Sequence, residues 1–194
     1  MESEKTAREK PEKSTNCDSC RHDERKKHCH HKKRSTAERF INKRFVIHPA
    51  MITIRTDHQV INDAMNSICS RSPESGGILL GPVGTNEITE FYFDQGGRCS
   101  GATYSPDHVG LMRKMKEEWL PAGIDMKGFV HSHPGRMDWL TGGDLSYISR
   151  LLDKNPKMEL FFAPIVIPCE FRLRPIVVLR KRPRLAQEAN LEFF

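Results

Sequence analysis

Two histidines and two carboxylates carry the chemistry that this sequence suggests. The segment GFVHSHPG predicts a strand that contains His131 and His133 and ends at the following proline. Alternate side chains of a strand point to the same face, so the two imidazoles would lie side by side. Thr141 then predicts a helix N-cap, with Asp144 three residues later. The turn would return a carboxylate toward the imidazoles.

Two imidazoles and one carboxylate form a catalytic rather than a structural zinc site, because the fourth position stays open to water. Zinc lowers the pKa of bound water from ~15.7 to about 7. Glu74, in the upstream segment ESGGILLG, is the candidate general base. A carboxylate within hydrogen-bond reach can take a proton from water and pass it to a leaving amine. The sequence therefore predicts Zn²⁺ as the cofactor.

These residues resemble a known family. The glutamate of ESGGILLG, the His-Ser-His-Pro sequence and the Thr-Gly-Gly-Asp sequence after it are similar to the JAMM motif of MPN-type metalloproteases. The resemblance covers roughly residues 52–180 and is strongest to the compact prokaryotic-type JAB domains, whose members include ubiquitin-like isopeptidases. It implies an MPN/JAB fold, which is related to the fold of the cytidine deaminases.

The resemblance also implies the role of each site residue. His131, His133 and Asp144 would hold zinc, and Glu74 would activate the water. The family usually has serine at the position of Thr141. Threonine keeps a hydroxyl that would hydrogen-bond a developing oxyanion, but its methyl group crowds the site.

The resemblance implies a zinc-dependent metallopeptidase that hydrolyses isopeptide or peptide bonds at the C-terminus of a ubiquitin-like modifier. The substrate partner would be that protein or its conjugate, and its extended glycine tail would lie against a sheet edge near Gly76 and Gly77. One alternative is a processing peptidase for a sulfur-carrier-like protein, which would use the same site. Another is a non-catalytic MPN scaffold or a nucleic-acid-tethered adaptor.

Each part of the motif has a simpler interpretation when taken alone. A Thr-x-x-Asp sequence is usually only a capping box, and a His-x-His pair is usually surface or core histidine. Their order and spacing together favour the zinc site. Cys169 follows a proline as in zinc deaminases, but within the predicted domain no second cysteine follows it and no His-x-Glu sequence occurs, so we reject that reaction class.

The positive charge of the chain is concentrated in residues 1–44. This segment has 14 Lys and Arg against 8 Asp and Glu, whereas the remaining residues have 17 of each, so the segment holds the whole net charge of +6. It lacks apolar periodicity, which predicts a basic, mostly disordered arm. The arm could contact nucleic acid or another acidic partner, or it could serve only as a solubilising tail.

Cysteines and histidines inside the arm suggest a second, small zinc site. Cys17, Cys20 and Cys29, with a later histidine such as His31, could supply four tetrahedral ligands. The alternative is an unstructured Cys/His tract. We expect a cytoplasmic protein without membrane contact, because no apolar run is long enough for a membrane span and the first residues lack a secretory h-region.

The expected fold is α/β, with a mixed β-sheet of about six strands flanked by helices. The metalloprotease domain is predicted over residues 45–185, followed by a tail at residues 186–194 that is either frayed or docked on a partner. We expect helices over residues 57–69, 107–120 and 142–152. The segment GGRCSGATYSPD between the first two helices predicts a loop.

The second of these helices has apolar residues at helical spacing. This spacing predicts a stripe that packs against the core of the domain. The residues of the stripe are Val109, Met112, Met115 and Trp119.

Overall fold

The structure is a computed structural model that describes residues 51–71, 74–100 and 103–194. The predicted arm and the predicted domain start at Phe45 lie outside the described residues. The same is true of the candidate second zinc ligands, Cys17, Cys20, Cys29 and His31.

The described residues form three α-helices and twelve strands. The helices are α1 (His58–Cys69), α2 (His108–Lys114) and α3 (Gly142–Lys154), and α2 continues into a π-helical turn over Met115–Trp119. The strands are β1 (Ile52–Thr56), β2 (Gly76–Pro82), β3 (Glu87–Ile88), β4 (Glu90–Phe93), β5 (Arg98–Ser100), β6 (Thr103–Ser105), β7 (Ile124–Ser132), β8 (Leu160–Phe162), β9 (Ile165–Ile167), β10 (Arg172–Arg174), β11 (Ile176–Leu179) and β12 (Ala186–Phe193). None of the helices is long and apolar enough to cross a membrane.

Ten of the strands in the described ranges form one mixed sheet, in the order β10-β9-β7-β8-β11-β12-β1-β3, and β2 joins it between β7 and β4. The α/β class and the mixed sheet are confirmed, but the expected number of about six strands is wrong. The segments ELFFAPIVI and FRLRPIVVLR, each expected as one strand, form two strands each, because Pro164 lies between β8 and β9 and Pro175 lies between β10 and β11. Proline has no amide hydrogen to donate to a strand ladder.

The C-terminal residues add a strand that the sequence analysis missed. Strand β12 runs parallel to β1, with Ile52 opposite Ala189, and antiparallel to β11. Ala186 and Ala189 are buried. The interpretation of residues 186–194 as a frayed or partner-docked tail is therefore wrong.

Strands β2 and β7 form the centre of the fold. They pair antiparallel, with Ile78 opposite Phe129. Side chains alternate between the two faces, so Leu79 and Val130 pack in the core beneath α1. Ile78 and Phe129 point the other way and share a second core with Ile148 and other residues of α3.

Helix α1 begins at His58, one residue after its predicted start, and Asp57 is its N-cap. The Asp57 side chain accepts a hydrogen bond from the backbone N of Gln59 at 2.8 Å, which satisfies one of the free amide groups of the first turn. The buried residues of α1 recur at intervals of three and four and face the sheet: Val60, Ala64, Met65 and Ile68.

Helix α2 departs from its predicted packing. The predicted core stripe is wrong at two positions, because Val109 is 83% exposed and Met112 is 55% exposed. Trp119 packs against the core as predicted, and Leu111, which was not part of the predicted stripe, packs beside it. A helical period identifies a helix, but it does not decide which of two apolar faces is covered.

Residues between β4 and α2 also differ from expectation. The segment predicted as a loop contains the short hairpin β5–β6, in which Cys99 lies opposite Tyr104. Each of its strands has only three residues, so the hairpin was too short to show an alternating pattern in the sequence.

Candidate metal centre

His131 is the penultimate residue of β7, and His133 follows directly after the end of the strand at Ser132, one residue earlier than the predicted strand end. The two histidines lie on the same side of the sheet. Gly76 of β2 lies opposite His131. At the next pair of residues, the backbone N of Ser132 donates to the Ser75 carbonyl at 2.9 Å. Because side chains alternate between the two faces along this pairing, Glu74 lies on the same face as the two histidines. Both imidazoles are almost fully buried.

Helix α3 brings the carboxylate to the histidines. Thr141 is its N-cap, and its hydroxyl accepts a hydrogen bond from the backbone N of Asp144 at 3.2 Å. In return, Oδ2 of Asp144 accepts hydrogen bonds from the backbone N and the hydroxyl of Thr141, each at 2.7 Å. This reciprocal capping box fixes both the first turn of the helix and the direction of the carboxylate.

The donor atoms of His131, His133 and Asp144 lie within 4.8 Å of one another and could hold a metal ion. The Nε2 atoms of the two histidines are 2.9 Å apart. Asp144 places Oδ1 at 3.6 Å from Nε2 of His131 and Oδ2 at 3.4 Å from Nε2 of His133. Ligand atoms at 2.0–2.2 Å from a tetrahedral ion are roughly 3.3–3.6 Å apart. The two contacts of the carboxylate agree with this spacing, and the imidazole separation is shorter.

Packing orients the imidazole rings. Nδ1 of each ring is buried and has no hydrogen-bond partner among the described residues. The ring of His131 instead lies 5.2 Å from the ring of Phe129 and 6.4 Å from the ring of Tyr104, measured between centroids. Aromatic side chains therefore hold the imidazole in place with Nε2 directed at the carboxylate.

The site stabilises the ionised form of Asp144. Burial alone would raise the pKa of its carboxyl group, but hydrogen bonds from His131 and His133, with a further contribution from Thr141, hold the pKa well below its ordinary value. Asp144 is thus an anion at neutral pH, which is the form that binds a cation.

A pocket of about 320 Å³ opens at the three donor residues. Glu74 and Thr141 also line it, so all five residues of the predicted catalytic site meet at this pocket. The Glu74 side chain is nearly buried, with 8% of its surface exposed. A carboxylate in this position can exchange protons with a molecule bound in the pocket.

Tyr104 forms a wall of the pocket that the sequence did not predict. Its hydroxyl donates to Oδ2 of the buried Asp94 at 2.7 Å, and the same oxygen accepts from the backbone N of Asp107 at 2.9 Å. Burial and the hydrogen bond to Asp94 raise the pKa of Tyr104, so it stays protonated. Gly76 leaves the space that this ring needs, since a Cβ atom there would lie 2.7 Å from it.

Two further pocket residues lie on helices. The Tyr147 hydroxyl is 3.3 Å from Nδ1 of His108, and both residues line the pocket. Burial raises the pKa of Tyr147 to about 12. Tyr147 lies three residues after Asp144, so helical spacing could have identified it, whereas Tyr104 comes from a segment without a regular period.

The structure excludes the predicted position of the substrate tail. The sheet edge expected near Gly76 and Gly77 does not exist, because β2 pairs with β7 on one side and with β4 on the other. Gly77 lies opposite Phe93, and a Cβ atom at Gly77 would fall 2.5 Å from the ring of Phe91. Aromatic rings of the protein itself occupy the space beside these two glycines.

No protein-family model and no curated protein sequence matches this chain. Among solved structures, the chain is similar to a protein from Desulfitobacterium hafniense, with a TM-score of 0.53 and 18% identity over 73% of this chain and 92% of the other. A protein from Salinibacter ruber matches with a TM-score of 0.50 and 17% identity, over 73% and 92%. A JAB1/MPN domain protein from Archaeoglobus fulgidus aligns with a TM-score of 0.44 and 16% identity, over 72% and 98%. The first two similarities show a shared fold.

Proposed function

We propose that this protein is a zinc-dependent metallopeptidase that cleaves isopeptide or peptide bonds at the C-terminus of a ubiquitin-like modifier. One observation carries the proposal: two buried imidazoles and a carboxylate converge at a pocket that a second carboxylate, Glu74, also lines. Two histidines and one acidic residue are a ligand set of catalytic zinc, which leaves a coordination position open. The order and spacing of these residues resemble the JAMM motif.

Bound zinc would polarise the scissile carbonyl and lower the pKa of a coordinated water. His131, His133 and Asp144 would hold the ion, and Tyr104 and Phe129 would keep the His131 ring from turning away. Glu74 would accept a proton from the attacking water and return it to the leaving amine. The Thr141 hydroxyl donates to Asp144, which supports a role in directing that carboxylate. Its expected role at an oxyanion would require this hydrogen bond to rearrange.

The first experiment combines elemental analysis with a cleavage assay. The full-length protein is purified without chelators and incubated with fusions in which a ubiquitin-like domain, or a sulfur-carrier-like domain, is joined through its C-terminal glycine to a reporter domain. We expect bound zinc and a cut after the glycine, detected by mass spectrometry. Protein that is free of zinc, or zinc-loaded protein that cuts none of the fusions, would contradict the proposal. The fusion that is cut identifies the class of modifier.

The same elemental analysis addresses the proposed second zinc site. We expect the ratio of zinc to protein to fall from two to one when Cys17 and Cys20 are both replaced by serine. A ratio of one in both proteins would leave the metal centre of the folded domain intact and exclude zinc from the arm.

A further inference from the structure

An arginine lines the same pocket as the metal-binding residues. Arg150 is an exposed residue of α3, six positions after Asp144. Long side chains of a helix lean toward its N-terminus. The guanidinium of Arg150 follows this rule, since it lies 5.9 Å from the ring centroid of Tyr147, three residues earlier. Its positive charge is therefore directed along the helix toward the metal ligand Asp144.

The charge of Arg150 has no acidic partner among the described residues. In the described ranges, Arg150 forms no ion pair and no hydrogen bond, and its one contact is with the Tyr147 ring. Neither carboxylate of the pocket pairs with it, because Asp144 faces the two imidazoles and Glu74 forms no ion pair. The guanidinium is thus available to a ligand that enters the pocket.

The charges that line the pocket favour an anionic ligand. The charged lining residues are Glu74, Asp144 and Arg150. The two carboxylates would balance the charge of a bound Zn²⁺ ion, so the guanidinium would add one positive charge that no lining residue neutralises. A partly enclosed site with such a charge attracts groups of the opposite sign.

A histidine supplies a second donor beside the same tyrosine. The ring of His108 lies 5.6 Å from the ring of Tyr147, and its Nδ1 is 3.3 Å from the Tyr147 hydroxyl. Burial raises the pKa of Tyr147 to about 12, so the hydroxyl keeps its proton and can donate it to Nδ1. The neutral imidazole then carries its own hydrogen on Nε2, which has no hydrogen-bond partner among the described residues. Donors from α2 and α3 therefore meet at Tyr147.

We propose that Arg150, with His108 beside the same tyrosine, forms a subsite that binds a carboxylate of the polypeptide whose scissile bond lies at the metal centre. The inference rests on the proposed function, because it takes the ligand to be a polypeptide. A guanidinium binds a carboxylate through two parallel hydrogen bonds, and such charge-assisted bonds are about twice as strong as neutral ones. The carboxylate belongs either to an Asp or Glu side chain or to the C-terminus of a short leaving group.

The length of α3 limits where this carboxylate lies in the substrate. Six residues of a helix span about 9 Å, and the lean of the Arg150 side chain shortens the distance from the metal ligand to the guanidinium. An extended chain advances about 3.3 Å per residue. The carboxylate therefore belongs to a residue within about three positions of the scissile bond.

The test measures peptide binding by isothermal titration calorimetry. The protein is full-length and zinc-loaded and carries Glu74→Gln, so that the probes stay intact. The reference peptide has four serines, two glycines and two more serines, and both of its ends are blocked. Each serine in turn is replaced by aspartate and, separately, by asparagine. A further pair of peptides lacks the last serine and ends in a free or an amidated carboxyl group.

We expect one carboxylate to tighten binding by at least about tenfold over its amide counterpart. A gain from aspartate assigns the subsite to an acidic side chain, and the position of the aspartate shows on which side of the scissile bond it lies. A gain from the free C-terminus alone assigns the subsite to a leaving group of one residue.

Arg150→Gln removes the guanidinium and should abolish this gain, whereas Arg150→Lys keeps the charge and should retain part of it. Arg113→Gln is the matched control, because Arg113 is an exposed arginine of α2 that does not line the pocket, so the gain should persist. Equal binding of all carboxylate and amide probes would overturn the subsite. A gain that survives Arg150→Gln would also overturn it, because the carboxylate would then bind elsewhere, for example at the metal.

The subsite and the proposed peptidase can fail separately. A gain that depends on Arg150, in a protein that with Glu74 intact cleaves none of the fusions, would support the subsite and contradict the peptidase. Cleavage of a fusion together with equal binding of all probes would contradict only the subsite.

Discussion

Side chains of the β2–β7 strand pair point alternately to two faces of the sheet, and the two faces serve different purposes. On one face, Leu79 and Val130 pack under α1 in a closed apolar core. On the other face, Ile78 and Phe129 begin a similar core, but that face continues with His131 near the end of β7 and with His133 directly after it. The change from packing to chemistry therefore occurs along a single strand.

The difference lies in what covers each face. Helix α1 has twelve residues and places four buried side chains on its face of the sheet. The opposite face is shared between α3 and the shorter α2, and the pocket at the metal centre lies where residues of these two helices meet the strands. Polar ligands can remain functional only where coverage is incomplete, because a substrate must reach them.

The strongest test of this comparison replaces, in separate variants, two neighbouring residues of β7 whose side chains point to opposite faces. His131→Ala should lower the zinc content by one ion per chain and abolish cleavage, because it removes one of three ligands. Val130→Ala should lose stability yet keep its zinc. Elemental analysis measures both variants, and zinc retained at full occupancy in His131→Ala would show that the ligands lie elsewhere.

Glu74→Gln separates catalysis from metal binding on the face of the sheet that carries the histidines. The amide cannot take a proton from water, so we expect turnover to fall by about 10²–10⁴-fold while zinc stays bound. Initial rates and elemental analysis on the same preparation give the answer. Loss of zinc would mean that Glu74 is itself a ligand.

Leu79→Ala tests the face of the sheet that α1 covers. Leu79 is 1% exposed, so the variant should lose about 2–5 kcal/mol of unfolding free energy through lost burial and a residual cavity. Urea denaturation measures the loss. Zinc content under native conditions should not change, and a simultaneous loss of zinc would show that the two faces are not independent.

Gly76→Ala tests the contact that forms the pocket wall. The added methyl group would lie 2.7 Å from the Tyr104 ring and 2.7 Å from the Val130 carbonyl oxygen. Overpacking of this kind costs about 1–3 kcal/mol. We expect lower stability in urea denaturation together with weaker substrate binding, seen as a higher KM. An unchanged KM would show that the position of the Tyr104 ring does not shape the substrate site.

Thr141→Ser should have the smallest effect. Serine preserves both hydrogen bonds between the hydroxyl group and Asp144, so we expect equal or higher activity and equal zinc affinity. Thr141→Ala removes the N-cap and should cost about 0.5–2 kcal/mol of stability. It should also weaken zinc binding by about 10–100-fold, because it removes a hydrogen-bond partner of a ligand. A large loss of activity in Thr141→Ser would show that the methyl group is needed for packing.

The local parts of this site could be predicted from the sequence. Two histidines separated by one residue lie on one strand face, and the Thr141–Asp144 capping box needs only the spacing of a helix start. The N-cap of α1 at Asp57 depends on the same short-range chemistry. These features involve hydrogen bonds or side-chain directions within a few residues of the chain.

Features that depend on distant partners were missed. The exposure of Met112 depends on what covers α2, and the role of Tyr104 depends on its contacts with Asp94 and Gly76. The sequence of β12 has little apolar alternation, and its place in the sheet depends on pairing with β1. Local patterns do not contain this information.

The pairing of β1 with β12 also affects how the protein folds. Residues 52–56 meet residues 189–193, so two ends of the described chain must come together before this part of the sheet closes. Contacts between such distant residues slow folding, since a long loop must be closed first. Until that step, β1 and β11 present unpaired strand edges that can bind other chains. Aggregation during refolding should therefore increase steeply with protein concentration, and dilution should favour the native sheet.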